Sequence, residues 1–233
     1  NKHAVFANLG ANIRQDKREN YLYQAIGLPN EKMDNIIFAK EYALGSKPTG
    51  SETLDREVGF LLAANYSYDN RYLMDVSLRD SASSQFGADK RWGAFWSAGL
   101  GWNLHHEKFL KDNEVVRLLK IRGSVGYTGS QAFNSYQSQL LYAYYLDRSY
   151  QGMIGTYLEA LANSDLKWQQ KYDLNAGIDV NLFDRLNLRF DVYRATTTDL
   201  LTDINIPPSL GFPTYKANLG KIENNGLGFA VSY

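Results

Sequence analysis

The sequence holds no cysteine, only five prolines and only three histidines in 233 residues. Without cysteine there is no disulfide framework and no thiolate metal site. Net charge is missing too, with 25 Lys and Arg against 25 Asp and Glu. That removes the basic surface a nucleic-acid partner requires, so no such partner is expected. Mean hydropathy is negative, and no stretch approaches the roughly 18 apolar residues of a membrane-spanning helix. Transmembrane barrels stay open, because half of their strand residues face a polar lumen. Asn1-Lys2-His3 is not a charged region leading into an apolar one, so no signal peptide is read here. An exported protein would then be represented by a mature or truncated piece.

Catalytic signatures are absent as well. There is no GxSxG and no GxGxxG between a strand and a helix. His105-His106 sits beside Glu107 in an expected turn, where adjacent residues do not share a face, so a solvated turn is favoured over a metal site. No enzyme activity, cofactor or metal is expected.

What the chain does have is tyrosine (17), glycine (19) and alternation. The stretch RWGAFWSAGLGWNL, residues 91–104, places Ala94, Trp96, Ala98, Leu100 and Trp102 on one face. Gly93, Phe95, Ser97, Gly99 and Gly101 fall on the other. Seven further segments alternate in the same way, beginning near Val5, Val58, Tyr72, Leu119, Tyr172, Leu186 and Leu227. Each has one apolar face of the length that a tilted strand needs to cross a bilayer. The polar faces carry Asp75, Arg79, Arg122, Asp173, Asp179, Arg189 and Asp191, the candidates for a lumen-facing set. Their plain role is a cross-strand ion network; their functional role would be to guide a polar solute.

Connections alternate long and short, as in transmembrane barrels. Residues 14–56 read as a charged, turn-rich segment with a short helix near 29–37. Residues 128–167 read as a loop of roughly 40 residues. Tyr66, Tyr72 and Trp102 at the short-turn ends, and Tyr127, Trp168 and Tyr172 at the long-loop ends, suggest two aromatic girdles. The long loop offers Tyr136, Tyr142, Tyr144, Tyr145, Tyr150 and Tyr157 as contacts for a ligand or a lid protein, since tyrosine packs on sugar rings and peptides and adds a polar tip. The pattern predicts an all-β, antiparallel transmembrane segment of about eight strands. A soluble β-sandwich is the alternative fold.

Five ordered segments resemble one family. YDNRYLMDVSLRDSASSQFGADKRWGAFWSAGLGWNL, LKIRGSVGYTGSQ, NSDLKWQQKYDLNAGIDVNLF, TTTDLLTDINIPPSLGF and NLGKIENNGLGF are similar to the barrel of SusC/RagA-type TonB-dependent outer-membrane transporters. Ala82, Gln85 and Ser130 depart from the usual Gly, Arg and Asn. The resemblance implies that residues 1–233 are part of one β-barrel domain, an internal stretch of a 22-stranded wall, with the plug and the remaining strands absent. It implies a nutrient importer for glycan or peptide in the Gram-negative outer membrane, surrounded by lipid. It would be driven by TonB through absent N-terminal parts and paired with a SusD-like surface lipoprotein. The alternative is a small closed barrel acting as a structural anchor or adhesin.

Overall fold

The computed structural model describes residues 2–44, 46–111, 113–130 and 134–233. Eight strands form one antiparallel sheet. They are β1 (His3–Leu22), β4 (Thr49–Tyr68), β5 (Tyr72–Ser83), β6 (Trp92–Asn103), β7 (Val116–Ser130), β10 (Gln169–Leu182), β11 (Leu186–Thr198) and β14 (Lys221–Ser232), paired in that order. Three hairpins interrupt the order: β2 (Ala25–Ile26) with β3 (Glu41–Tyr42), β8 (Leu141–Tyr150) with β9 (Met153–Ala160), and β12 (Leu201–Asn205) with β13 (Thr214–Asn218). All three lie in long connections.

The tight turns follow from local chemistry. Asp69 and Asn70 take φ of 52° and 54°, the left-handed conformation those residues tolerate, in a three-residue hairpin loop between the paired Tyr68 and Tyr72. Phe183 and Asp184 repeat the geometry at 56° and 57° with less suitable chemistry at Phe183.

Register carries the sidedness. Cross-strand partners share a face, and they align Tyr72, Trp102, Ile121, Ile178, Phe190 and Phe229 in one row across six strands. These side chains stay open to the surroundings, as do Leu100 at 65% and Leu227 at 74%. On that face the first charges come towards the long-connection end, at Asp80, Arg194 and Glu223. The opposite face aligns Leu73, Gly101, Arg122, Gly177, Asp191 and Gly228, and beside them Asp75, Gly99, Ser124, Asn175, Tyr193 and Gly226.

Almost nothing is buried. Among the described residues the hydrophobic core is Phe86, Leu166, Trp168 and Ala195. A sandwich would bury one face of each sheet; here the sheet is a single layer with its apolar face uncovered. Among the described residues the strand order runs from β1 to β14 with no pairing between those two strands, whereas a small closed barrel would pair them.

Residues 14–56 form a compact unit of their own. The predicted charged loop is instead about half strand: β1 continues to Leu22 and β4 starts at Thr49. Charge pairs replace apolar alternation along these extensions, with Lys17 on Glu19 at 2.5 Å and on Glu52 at 3.3 Å. The helix predicted near 29–37 reduces to one 3-10 turn, Ile36–Phe38, capped by the Asn35 side chain at 3.0 Å from the Ile37 N–H. The predicted 40-residue loop also contains structure, the β8–β9 hairpin, whose Gln151-Gly152 turn takes φ of 50° and 77°.

An arginine on the exposed apolar face should be far costlier than one on the other. Leu100→Arg is expected to lower the stability of the protein reconstituted into lipid by about 2–4 kcal/mol, while Ser124→Arg changes it little. Urea unfolding in lipid vesicles checks this.

Candidate functional site

The predicted polar set divides into one network and three separate residues. Arg122 binds Asp179 at 3.0 Å through Nε and Asp191 at 2.5 Å through Nη2. Asp179 takes a second cation, Arg189, at 2.8 Å. The side chains lie flat along the sheet, and Gly177 makes room for them. A Cβ there would stand 2.5 Å from Asp191 Oδ1 and 2.8 Å from Arg122 Cζ. Asp75 lies over Gly99 in the same manner, 2.6 Å from where a Cβ would be. Arg79 pairs with Glu57 at 2.9 Å and donates to Ser81 Oγ at 2.9 Å. Asp173 pairs with Lys171 at 2.8 Å, both largely exposed, an interaction worth about 0–1 kcal/mol at most.

A knot of loop residues closes the long-connection end of this face. Phe86 and Trp168 rings lie 4.3 Å apart, with Leu166 fully buried beside them and Phe95 meeting Trp168 edge-on at 5.2 Å. Trp168 donates its indole N–H to Arg91 O at 3.1 Å, and the Gly87 N–H donates to Leu166 O at 3.0 Å. A Cβ on Gly87 would sit 1.8 Å from Ser164 O, so only glycine fits. Two asparagines sew in the neighbouring loop. Asn163 donates to Lys216 O at 2.6 Å. Asn218 donates to Lys167 O and Asp199 O and accepts from the Lys167 N–H, all within 2.8–2.9 Å. The segments SSQFG, NSDLKW and TTDLL thus meet in space. Sequence reasoning used them as marks of resemblance and missed the contact.

The knot corrects one predicted girdle. Trp168 is buried at 7% and packs among aromatics instead of standing at an interface. Tyr127 ends the β6–β7 ladder with its ring 6.1 Å from Phe95. Of the three long-loop aromatics, Tyr172 is the one in the open, at 45%. The short-turn girdle is organised by Glu107, which no alternation pattern singles out. Its Oε1 accepts from Trp102 Nε1 and Tyr72 Oη, each at 3.1 Å, and its Oε2 meets Arg71 at 3.3 Å. Tyr72 stacks on both Tyr68 and Trp102. His105 and His106 lie beside this turn with rings 4.2 Å apart, and His105 Nδ1 sits 3.4 Å from the Leu119 N–H.

The six tyrosines do not form one surface. Tyr142 and Tyr144 share a face of the β8–β9 hairpin and are 62% and 65% exposed. Tyr145 and Tyr157 pack on each other at 4.8 Å, and Tyr150 lies at the tip. Tyr136 is half-buried in the preceding turn at φ 67°.

Two outcomes follow from this geometry. Gly87→Ala should cost about 1–3 kcal/mol through overpacking and open residues 161–168 to protease, read by limited proteolysis. The Trp102 indole N–H, helped by Tyr72 and Arg71, holds the Glu107 carboxyl below the usual carboxylate range, against desolvation. A folded-state pKa below the unfolded one gives stability that is present above the unfolded value and lost as pH falls through the folded one. Glu107→Gln should therefore lower stability at neutral pH, and the difference from the parent should vanish in acid, as followed by urea midpoints across the acid range.

Residues 5–233 match the family model described as TonB dependent receptor-like, beta-barrel. TonB-dependent receptor P39 of Formosa agariphila is 34% identical over 99% of this chain and 22% of its own length. TonB-dependent receptor SusC of Bacteroides thetaiotaomicron is 34% identical over 79% of this chain and 19% of its own. The chain thus spans about a fifth of the length of these relatives. Among solved structures, the RagAB peptide transporter superposes with a TM-score of 0.86 at 25% identity, over 99% of this chain and 25% of that one. The siderophore receptor PirA from Acinetobacter baumannii, at 14% identity and a TM-score of 0.53, shares the fold alone. The sheet, its sidedness and these matches agree: the chain belongs to the TonB-dependent receptor β-barrel family, of the SusC/RagA type.

Proposed function

We propose that this chain is a stretch of the barrel wall of an outer-membrane importer that takes up glycan or peptide nutrients. One observation carries the reading: a single-layer, eight-stranded sheet with one face apolar across its strands and the other lined by paired charges. Lipid is the surrounding that accepts such a face without penalty. The two terminal strands of the order, β1 and β14, would pair with further strands, because unpaired backbone is not tolerated in hydrocarbon.

In this reading Asp75, Arg79, Arg122, Asp173, Asp179, Arg189 and Asp191 face the lumen. Arg122, Arg189, Asp179 and Asp191 cancel one another's charge, so the wall stays wettable without holding an ion or a charged solute tightly. The wall does no covalent chemistry. Tyr142 and Tyr144, exposed side by side, would meet the cargo or a SusD-like surface lipoprotein that delivers it. TonB would act on parts outside this chain. RagAB is described as a peptide transporter; glycan and peptide cargo are both consistent with this wall.

Deleting the gene in its source bacterium should abolish uptake of one class of oligomer, and a proton-gradient uncoupler should abolish it in the parent. Peptide identification of the denatured gene product should place these residues in a band well above 26.4 kDa. A product of that mass from an intact gene would sink the proposal.

A further inference from the structure

A cavity of about 400 Å³ opens on the polar face below the loop knot, lined among others by Glu57, Leu61, Arg79, Phe95, Tyr127 and Trp168. Its size falls within the ~300–1,000 Å³ of small-molecule sites. The aromatic side is fixed: Phe95 is held against Trp168 at 5.2 Å and against Tyr127 at 6.1 Å. Gly129 permits this, since a Cβ there would lie 2.1 Å from Phe95 Cζ. The polar side is fixed too. Ser77 and Ser97 hydroxyls lie 2.7 Å apart in its lining. Arg79 gives Nε to Ser81 and Nη2 to Glu57, and its side chain remains 51% exposed. Its Nη1 has no partner among the described residues.

We infer that this cavity is a subsite for a neutral pyranose unit of the transported molecule, an inference that rests on the importer reading. A pyranose has apolar C–H faces and a rim of hydroxyls. Aromatic rings suit the faces, and guanidinium, carboxylate and serine oxygens suit the rim. Charge argues the same way: Glu57 neutralises Arg79, so a charged ligand would have to break a pair to gain one. An apolar peptide side chain would fill the aromatic side but leave Arg79 Nη1 unpaired on desolvation, a costly outcome.

The test uses the intact purified protein in detergent and isothermal titration calorimetry. The probes are malto-, cello-, xylo- and manno-oligosaccharides and one neutral peptide of Gly, Ser and Phe. At least one oligosaccharide should bind. Arg79→Gln should weaken it at least about tenfold, the loss of one charge-assisted hydrogen bond. Thr128→Trp, which fills the cavity from its lining, should do the same by exclusion. Far-ultraviolet circular dichroism and heat-modifiable migration establish that both variants are folded. No saccharide binding, peptide binding alone, or saccharide binding that both variants leave unchanged would overturn the inference. The importer reading is judged separately, by uptake in the deletion strain, and survives any of those results.

Discussion

Everything in this sheet depends on cross-strand register. In an antiparallel ladder the partner of an outward residue is outward, and a slip of one residue would exchange the faces of a whole strand. Such a slip would carry Arg122, Asp179 or Asp191 onto the apolar face and Trp102 or Ile178 off it. With that face in lipid, as proposed, the cost of each misplaced charge makes a single register strongly preferred. Short turns that accept only one geometry, as at Asp69-Asn70, set the same register from the other side.

Register also explains the alternation of large and small residues. Along a strand the change is between faces. Across strands on the polar face the change is between neighbours: Gly101 beside Arg122, Gly177 between Arg122 and Asp191, Gly226 beside Tyr193. A one-layer sheet has no second layer against which long polar side chains can pack. They pack sideways instead, over the nearest glycine. A Cβ at Gly226 would lie 2.4 Å from the Tyr193 ring, so that exchange is as tight as the one at Gly177. Glycine here serves as floor space for a neighbour, a use different from its role in turns.

The eight strands and their sidedness were legible in the sequence, because period two is a one-dimensional signal. Tertiary convergence was not. Phe86, Leu166 and Asn218 lie far apart along the chain, and nothing in their local pattern says that they meet. Trp168 illustrates the loss: it precedes an alternating strand and reads as an interface aromatic, yet it turns inward because Phe86 and Phe95 offer a dry contact. Glu107 was hidden for a related reason, since a charged residue in a turn looks solvated until the two aromatic donors that claim it are placed. The hairpins β8–β9 and β12–β13 escaped because they alternate too briefly to stand out from the long connections that hold them.

The knot has a consequence for the order in which the molecule assembles. Its members come from the β5–β6, β7–β10 and β11–β14 connections, so it cannot form until those strands are at hand. Local turns such as Asp69-Asn70 close early and at little entropic cost. The Phe86–Trp168–Asn218 assembly closes late, after the chain has threaded most of the sheet. It therefore acts as a latch set last, and a wall with a mispaired strand would be left with three untied loops at its outer rim.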